Sequence, residues 1–239
     1  MKKWLFFLKA SLKKKAILIF FLLFVLPAVI IGIIVSVQSN NVLKQQILDT
    51  THRNLNNIES KFMTVINDVE EISSYIIFSD EFRKFMTVSS GDCKQINQLK
   101  KNISGFFTFH LSDKNYFNSV TIDGMNDESI HVGEPLYGDE STLLNKVTES
   151  RGEPLWSQPY SMTSGWTQSD KNIITLSRRI NDIQTIVDSI GIVRIRLDAD
   201  ELFYYVTDGF MPYKQEAFFL SSDGEVIGEN ITTSRESKF

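Results

Sequence analysis

Two arginine pairs and four aromatic rings are the side chains best suited to binding chemistry in this sequence. Trp156, Tyr160 and Trp166 fall in one stretch, RGEPLWSQPYSMTSGWTQSD (Arg151–Asp170), and Tyr137 lies shortly before it. Arg178-Arg179 and the spaced pair Arg194 and Arg196 follow. Aromatic walls with a few convergent polar groups make a pocket for a small organic ligand. An inward arginine would favour a carboxylate or a phosphate, because its planar fork pairs bidentately with either. Adjacent strand positions face opposite ways, so at most one of Arg178 and Arg179 points into a pocket, whereas Arg194 and Arg196 share a face. The binding set is therefore Tyr137, Trp156, Tyr160, Trp166 and Arg178. The competing reading makes Trp156 and Tyr160 core plugs and leaves the arginines exposed or paired with Asp198 and Asp200.

Catalytic chemistry finds less support. No GxSxG elbow, HExxH helix or phosphate-binding GxxxxGK[ST] loop is present. The three histidines, His52, His110 and His131, are scattered, and the one cysteine, Cys93, can form neither an internal disulfide nor a metal-ligand motif. No metal and no cofactor is expected. Asp68, Glu70 and Glu71 read as the solvated face of a helix, and Asp80-Glu81 as a helix-surface or capping pair.

The elements that must position the binding set begin at a membrane. Ala16–Val37, AILIFFLLFVLPAVIIGIIVSV, is 22 residues without a charge. At about 1.5 Å per residue it covers roughly 33 Å, enough for a hydrocarbon core of about 30 Å. A cleaved signal would carry a shorter apolar core and a small-residue cleavage site, and VSVQSN is a poor one. The first 37 residues hold six lysines and no acid, which leaves 19 of the 25 basic residues against all 29 acids, a balance of −10 for the remainder. The lysines belong on the cytoplasmic side and the acidic bulk outside. Nucleic-acid binding would need the basic charge on the folded part, and is not expected.

From Asn41 to about Met86 the sequence has neither proline nor glycine, and Leu55, Ile58, Phe62, Val65, Val69, Ile72 and Ile76 recur in alternating steps of three and four. That pattern predicts a long helix whose seam either packs on its own domain or pairs with a second copy in a homodimer. A second helix is predicted over Lys94–Phe107, and strands over Phe117–Asp123 and Ser129–Val132. A helix over Asp139–Glu149, capped by Asp139 or Ser141, comes next, then a loop over Arg151–Gly165. Asn172–Ile180 and Ile190–Leu197 alternate as half-buried strands joined by a polar hairpin, and Asp200–Val206 starts a short helix. Ala217–Leu220 and Val226–Gly228 flank the turn signal Ser222–Glu225. A long helix against an antiparallel sheet is an α+β arrangement.

The lysine-flanked anchor, the heptad helix, and the segments VTIDG, WSQPY, IITLSRRI, GIVRIRLDADELFYYV and AFFLSSDGEVIG together resemble the double Cache sensor region of YesM-like sensor histidine kinases of Gram-positive bacteria. The resemblance implies a basic cytoplasmic tail over 1–15, a transmembrane helix over 16–37, and a long extracellular helix with a possible dimer seam over 38–90. It further implies a membrane-distal PAS-like Cache module over 91–208 and the incomplete start of a membrane-proximal module over 209–239. In that family the ligand sits between the sheet and the loops that cover it, which makes Arg151–Asp170 the covering loop. The second membrane helix, HAMP linker, phospho-accepting histidine and ATP-binding domain of such kinases have no counterpart here. The chain is therefore expected to be the sensory part of a truncated receptor, a fragment, or a divergent stand-alone product, with no catalysis of its own. Its expected partners are the membrane, an unknown small-molecule or peptide ligand, and a second copy. The alternative is a membrane-anchored surface binding or structural protein with no signalling output.

Overall fold

The computed structural model describes residues 12–89, 91–111, 113–185, 188–210, 216–220 and 226–231. Most of the basic tail, the Ser222–Glu225 turn and the residues after 231 lie outside them. The chain divides into two compact units, Met1–Leu55 and Asn56–Phe239.

The first unit is helical. Helix α1 (Leu12–Phe20) passes through a π-helical turn (Phe21–Val25) into α2 (Leu26–Phe78). The turn has a local cause. Pro27 has no N–H to donate, and the ladder adjusts by bonding the Leu26 N–H to the Phe21 carbonyl, five residues back. An 18-residue window of this helix has a mean hydropathy of 3.3, and among the described residues this is the one helix long and apolar enough to cross a membrane.

In the second unit α2 supplies the seam read from the sequence. Ile58, Val65, Val69 and Ile76 are buried in the domain core, with Phe62 and Ile72 packed against it. From Ile58 onward, then, the heptad face packs on its own domain. Leu48 and Leu55 remain more than half exposed, at 59% and 53%.

The helix does not run on to Met86. It ends at Phe78, Ser79 turns extended, and α3 (Asp80–Thr87) restarts with acids in its first turn. No glycine or proline marks this break; the new helix axis buries Phe82, Phe85 and Met86 together. Helix α4 (Cys93–Leu111) adds Ile96, Leu99, Ile103 and Phe107 at helical spacing. The Phe82 and Phe107 rings meet edge to face at 5.6 Å.

Strands β1 (Phe117–Gly124), β2 (Ser129–Gly133), β3 (Leu136–Tyr137), β4 (Leu155–Trp156), β5 (Tyr160–Ser164), β6 (Asp170–Asn181) and β7 (Ser189–Asp198) form one antiparallel sheet. Its order is β2-β1-β7-β6-β5-β3, and β4 also pairs with β6. Helix α5 (Ser141–Glu149) lies between β3 and β4 in the chain. Helix α6 (Ala199–Thr207) follows β7, capped by Asp198, whose side chain accepts the Glu201 N–H. A separate hairpin, β8 (Glu216–Leu220) and β9 (Val226–Ile231), stands where the second module is expected to open. The architecture is α+β, a helix-backed antiparallel sheet of the PAS-like kind.

Three local expectations change. The expected covering loop Arg151–Asp170 contains β4 and β5, so much of it is sheet. Glu140, not Asp139 or Ser141, holds the N-cap position of α5 and makes no side-chain cap, while Asp139 accepts the Ser141 N–H at 2.9 Å. Glu70 is no solvated acid; it accepts the Trp156 indole N–H at 2.8 Å.

Register sorts the sheet into two unlike faces. Val120 and Ile122, Val193, Ile195 and Leu197, and Ile174, Leu176 and Ile180 join the core with α2, α3, α4 and α6. The alternate positions are Ser119 and Thr121, Arg194 and Arg196, and Thr175 and Ser177. All but Arg194 are buried, and its side chain is only 14% exposed. Gly133, at the end of β2, has φ +106°, and a Cβ there would lie 2.8 Å from the Ser119 Cα, so no other residue fits without strain.

Candidate functional site

The polar face of the sheet is the candidate site. Arg194 and Arg196 project from the middle of β7, between β1 and β6, and converge on the Glu140 carboxylate at the start of α5. Arg196 donates from Nε at 2.9 Å and from Nη2 at 2.7 Å. Arg194 donates from Nη1 at 2.5 Å, and the Tyr160 hydroxyl donates at 2.7 Å. Tyr160 in turn accepts from Thr175, 2.7 Å away. The second fork arm of Arg196 reaches the Thr121 hydroxyl at 2.8 Å, and that of Arg194 reaches Asp123.

Burial pushes the Glu140 carboxyl upward, but hydrogen bonds and charge from Arg196, then Tyr160 and Arg194, outweigh it and hold the group at about 2. Burial and the Glu140 acceptor push the Tyr160 phenol up to about 12. His131 is pushed down by burial and by the charge of Arg196. Its bonds fit the neutral ring: the Glu134 carbonyl, 3.2 Å from Nε2, can only accept. Thr121, already an acceptor for Arg196, is left to donate to Nδ1 at 3.0 Å. Arg194 Nε, Ser119 Oγ and Ser177 Oγ are buried without a hydrogen-bond partner among the described residues.

A cavity of about 630 Å³ lies in front of this cluster, lined by Asp139, Glu140, Leu143, Lys146, Leu155, Trp156, Gln158 and Tyr160 among others. Glu140 and Tyr160 line it, and Arg194 and Arg196 do not. A second, more polar cavity of about 350 Å³ lies beside Glu134, Trp166, Lys171 and Asp198. There the Lys171 ammonium already bridges Glu134 at 3.0 Å and Asp198 at 3.1 Å.

The structure distributes the five expected residues over three places. Tyr160 is at the polar cluster. Trp156 lies opposite Leu176, and its indole is turned to Glu70 of α2, although it also lines the larger cavity. Arg178 shares the helix-facing side. Its Nη1 donates to Ser74 at 2.9 Å and Ser73 at 3.2 Å, and its Nε donates to the Gly152 carbonyl at 2.7 Å. Tyr137 and Trp166 are 64% and 69% exposed, Trp166 at the smaller cavity. Arg194 and Arg196 are paired, as the competing reading held, but with Glu140 and Asp123 in place of Asp198 and Asp200. Glu140 was missed. Its signal was indirect: two arginines on one face of a buried strand need two acids from somewhere.

No protein-family model matches the chain, and no curated protein sequence matches it. Among solved structures it is similar to the ligand-binding domain of the Campylobacter jejuni chemoreceptor Tlp3, solved in complex with L-norvaline. The TM-score is 0.47 at 11% identity, over 76% of this chain and 69% of that one. It is also similar to the periplasmic sensory domain of the Campylobacter jejuni chemoreceptor Tlp1, with a TM-score of 0.43 at 14% identity, over 69% of this chain and 64% of that one.

Proposed function

We propose that the chain is the extracytoplasmic, small-molecule-sensing portion of a bacterial membrane receptor, anchored by Ala16–Val37. The observation that carries this reading is a continuous set of bonds from the cavity wall to the long helix. Strand β4 lines the cavity through Leu155 and Trp156, and the same Trp156 holds Glu70 of α2. Arg178 ties Gly152, just before β4, to Ser73 and Ser74 one turn further along α2. A ligand that favours one packing of β4 over another thereby biases α2, which is the differential contact that a sensor requires.

The parent receptor, on this reading, is a two-component sensor histidine kinase that pairs with a second copy through the long helix. Reading the gene past Phe239 into a second membrane helix, a HAMP linker and a kinase domain supports that assignment; an unrelated continuation overturns it. The sensing function is tested by thermal unfolding of the full chain in dodecylmaltoside against amino acids, sugars and small carboxylates. A binder at about 100 times its dissociation constant adds roughly 2.7 kcal/mol of stability. If no compound shifts the transition, the sensor reading fails, and a surface protein without signalling output takes its place.

A further inference from the structure

We propose that Glu140 is a built-in occupant of a carboxylate seat, and that a carboxylate-bearing small molecule entering from the cavity exchanges with it and releases the start of α5. The proposal rests on the sensor reading above and names the chemistry of its ligand.

Several observations converge on Glu140. It accepts four hydrogen bonds, three from two arginines and one from Tyr160, which is the donor set of a carboxylate subsite filled by the protein's own side chain. It also lines the 630 Å³ cavity, which the two arginines do not, so its departure would leave the seat next to that cavity.

Charge fixes the ligand's class. The cluster holds two guanidinium groups against two carboxylates, Glu140 and Asp123. An extra anion added to that balanced set would have only Lys146 of the cavity wall to pair with, whereas an anion that replaces Glu140 preserves the balance. Spare donors are also present. Arg194 Nε and the hydroxyls of Ser119 and Ser177 are buried on this face with no partner among the described residues, so the bed can form more bonds than Glu140 uses.

Apart from its carboxylate, Glu140 stands on a lightly packed helix. Gly138 precedes it, its side chain caps nothing, and Val147 is the one buried residue of α5. Once Glu140 swings out, the half-buried Leu143 and Leu144 are left to hold the first turn of that helix. The cavity offers the ligand's remaining atoms an apolar wall in Leu143, Leu155 and Trp156, with Lys146 and Gln158 at its polar side.

The experiment uses the full chain in dodecylmaltoside as wild type, Glu140→Ala and Glu140→Gln. Sodium propionate is the probe, and sodium chloride at equal ionic strength is the control. In Glu140→Ala the vacated seat should take propionate, raising the unfolding temperature by about 3 °C or more over chloride, while wild type moves by under about 1 °C. Hydrogen exchange over residues 138–149 should be about tenfold faster in Glu140→Ala than in wild type, and should slow again with propionate. Should Glu140→Ala fail to fold, Glu140→Gln keeps the volume and should show a propionate shift between those of the other two.

Propionate no better than chloride in both variants overturns the proposal, as does unchanged exchange over 138–149. Inorganic phosphate that stabilises the variants where propionate does not overturns the carboxylate class. A neutral sugar that binds wild type and Glu140→Gln equally well overturns the proposal and leaves the sensor reading standing. Propionate uptake by Glu140→Ala alongside a wild type that binds none of the small carboxylates overturns the exchange, and a wild type that binds no compound at all sinks the sensor reading as well.

Discussion

Replacing Arg196 by leucine removes the fork that gives Glu140 two of its four hydrogen bonds, at 2.7 and 2.9 Å, and also strips the donor from Thr121. Removing one partner of a buried ion pair costs about 3–5 kcal/mol, because the other charge is left desolvated. Glu140 keeps Arg194 and Tyr160, so the lower end, about 3 kcal/mol, is expected here. Glu140→Gln keeps the shape, leaves two guanidinium groups facing a neutral amide, and should cost about 2 kcal/mol. If the two side chains act on each other, the double variant Arg196→Leu/Glu140→Gln falls short of the sum by roughly 1.5–3 kcal/mol. Urea unfolding of all four proteins in dodecylmaltoside at pH 7 measures the cycle. Additivity within about 0.5 kcal/mol would refute the reasoning, since it would mean that the arginine and the carboxylate share no stabilisation.

Acid provides a separate handle on the same group. Glu140 lies at about 2 in the fold against its ordinary 4.5, so its contribution is fully present above pH 4.5 and is lost as pH falls towards 2. At about 1.4 kcal/mol per pH step the ceiling is about 3.5 kcal/mol, and solvent screening brings the expected loss to roughly 2. Glu140→Gln should flatten that part of the stability profile between pH 4.5 and 2. Along α2, Ile76→Ala should cost about 2–5 kcal/mol, while Leu55→Ala at an exposed position should stay within about 0.5, both read from urea midpoints. Gly133→Ala, forced to φ +106° against the Ser119 backbone, should destabilise by about 2 kcal/mol or more in the same assay. Trp156→Phe keeps an aromatic ring, smaller than the indole, and loses the bond to Glu70; about 1.5 kcal/mol or more of destabilisation and faster hydrogen exchange over residues 70–74 are expected.

The long, regular elements were legible because their signals are local. NIITLSRRI and IGIVRIRL are rich in β-branched residues and largely alternate, and both fall inside the hairpin of β6 and β7. Helix α4 extends only a few residues beyond its predicted ends. What failed was decided by tertiary packing. Strand β4 has two residues, follows Pro154 and pairs with β6 off the main strand path, so its sequence reads as loop. The break at Ser79 carries no glycine or proline, and it follows from Phe82, Phe85 and Met86 turning together into the core. The seam of α2 was correctly periodic, but periodicity does not say what covers a face; here, from Ile58 on, it is the chain's own domain.

The site was half legible, and the missing half explains itself physically. Arg194 and Arg196 could be placed on one face of a strand by parity alone. Their counter-charges could not, because Asp198, near in sequence and on the same face, is committed to Lys171 and to the α6 N-terminus. The acids that do pair with them stand 54 and 71 residues away from Arg194, on the approach to α5 and on β1. A sheet covered on both sides is ordinarily apolar on both. The central strands here are largely apolar toward α2, Arg178 apart, and on the other face carry serine, threonine and arginine beside the buried Ile173. Apolar residues of similar volume in place of a buried ion cluster are often neutral or stabilising, so stability alone does not account for that polar layer. The carboxylate seat proposed above would account for it: the charges are buried where a ligand's carboxylate would replace one of them, and that one, Glu140, stands at the start of a helix with a single fully buried residue.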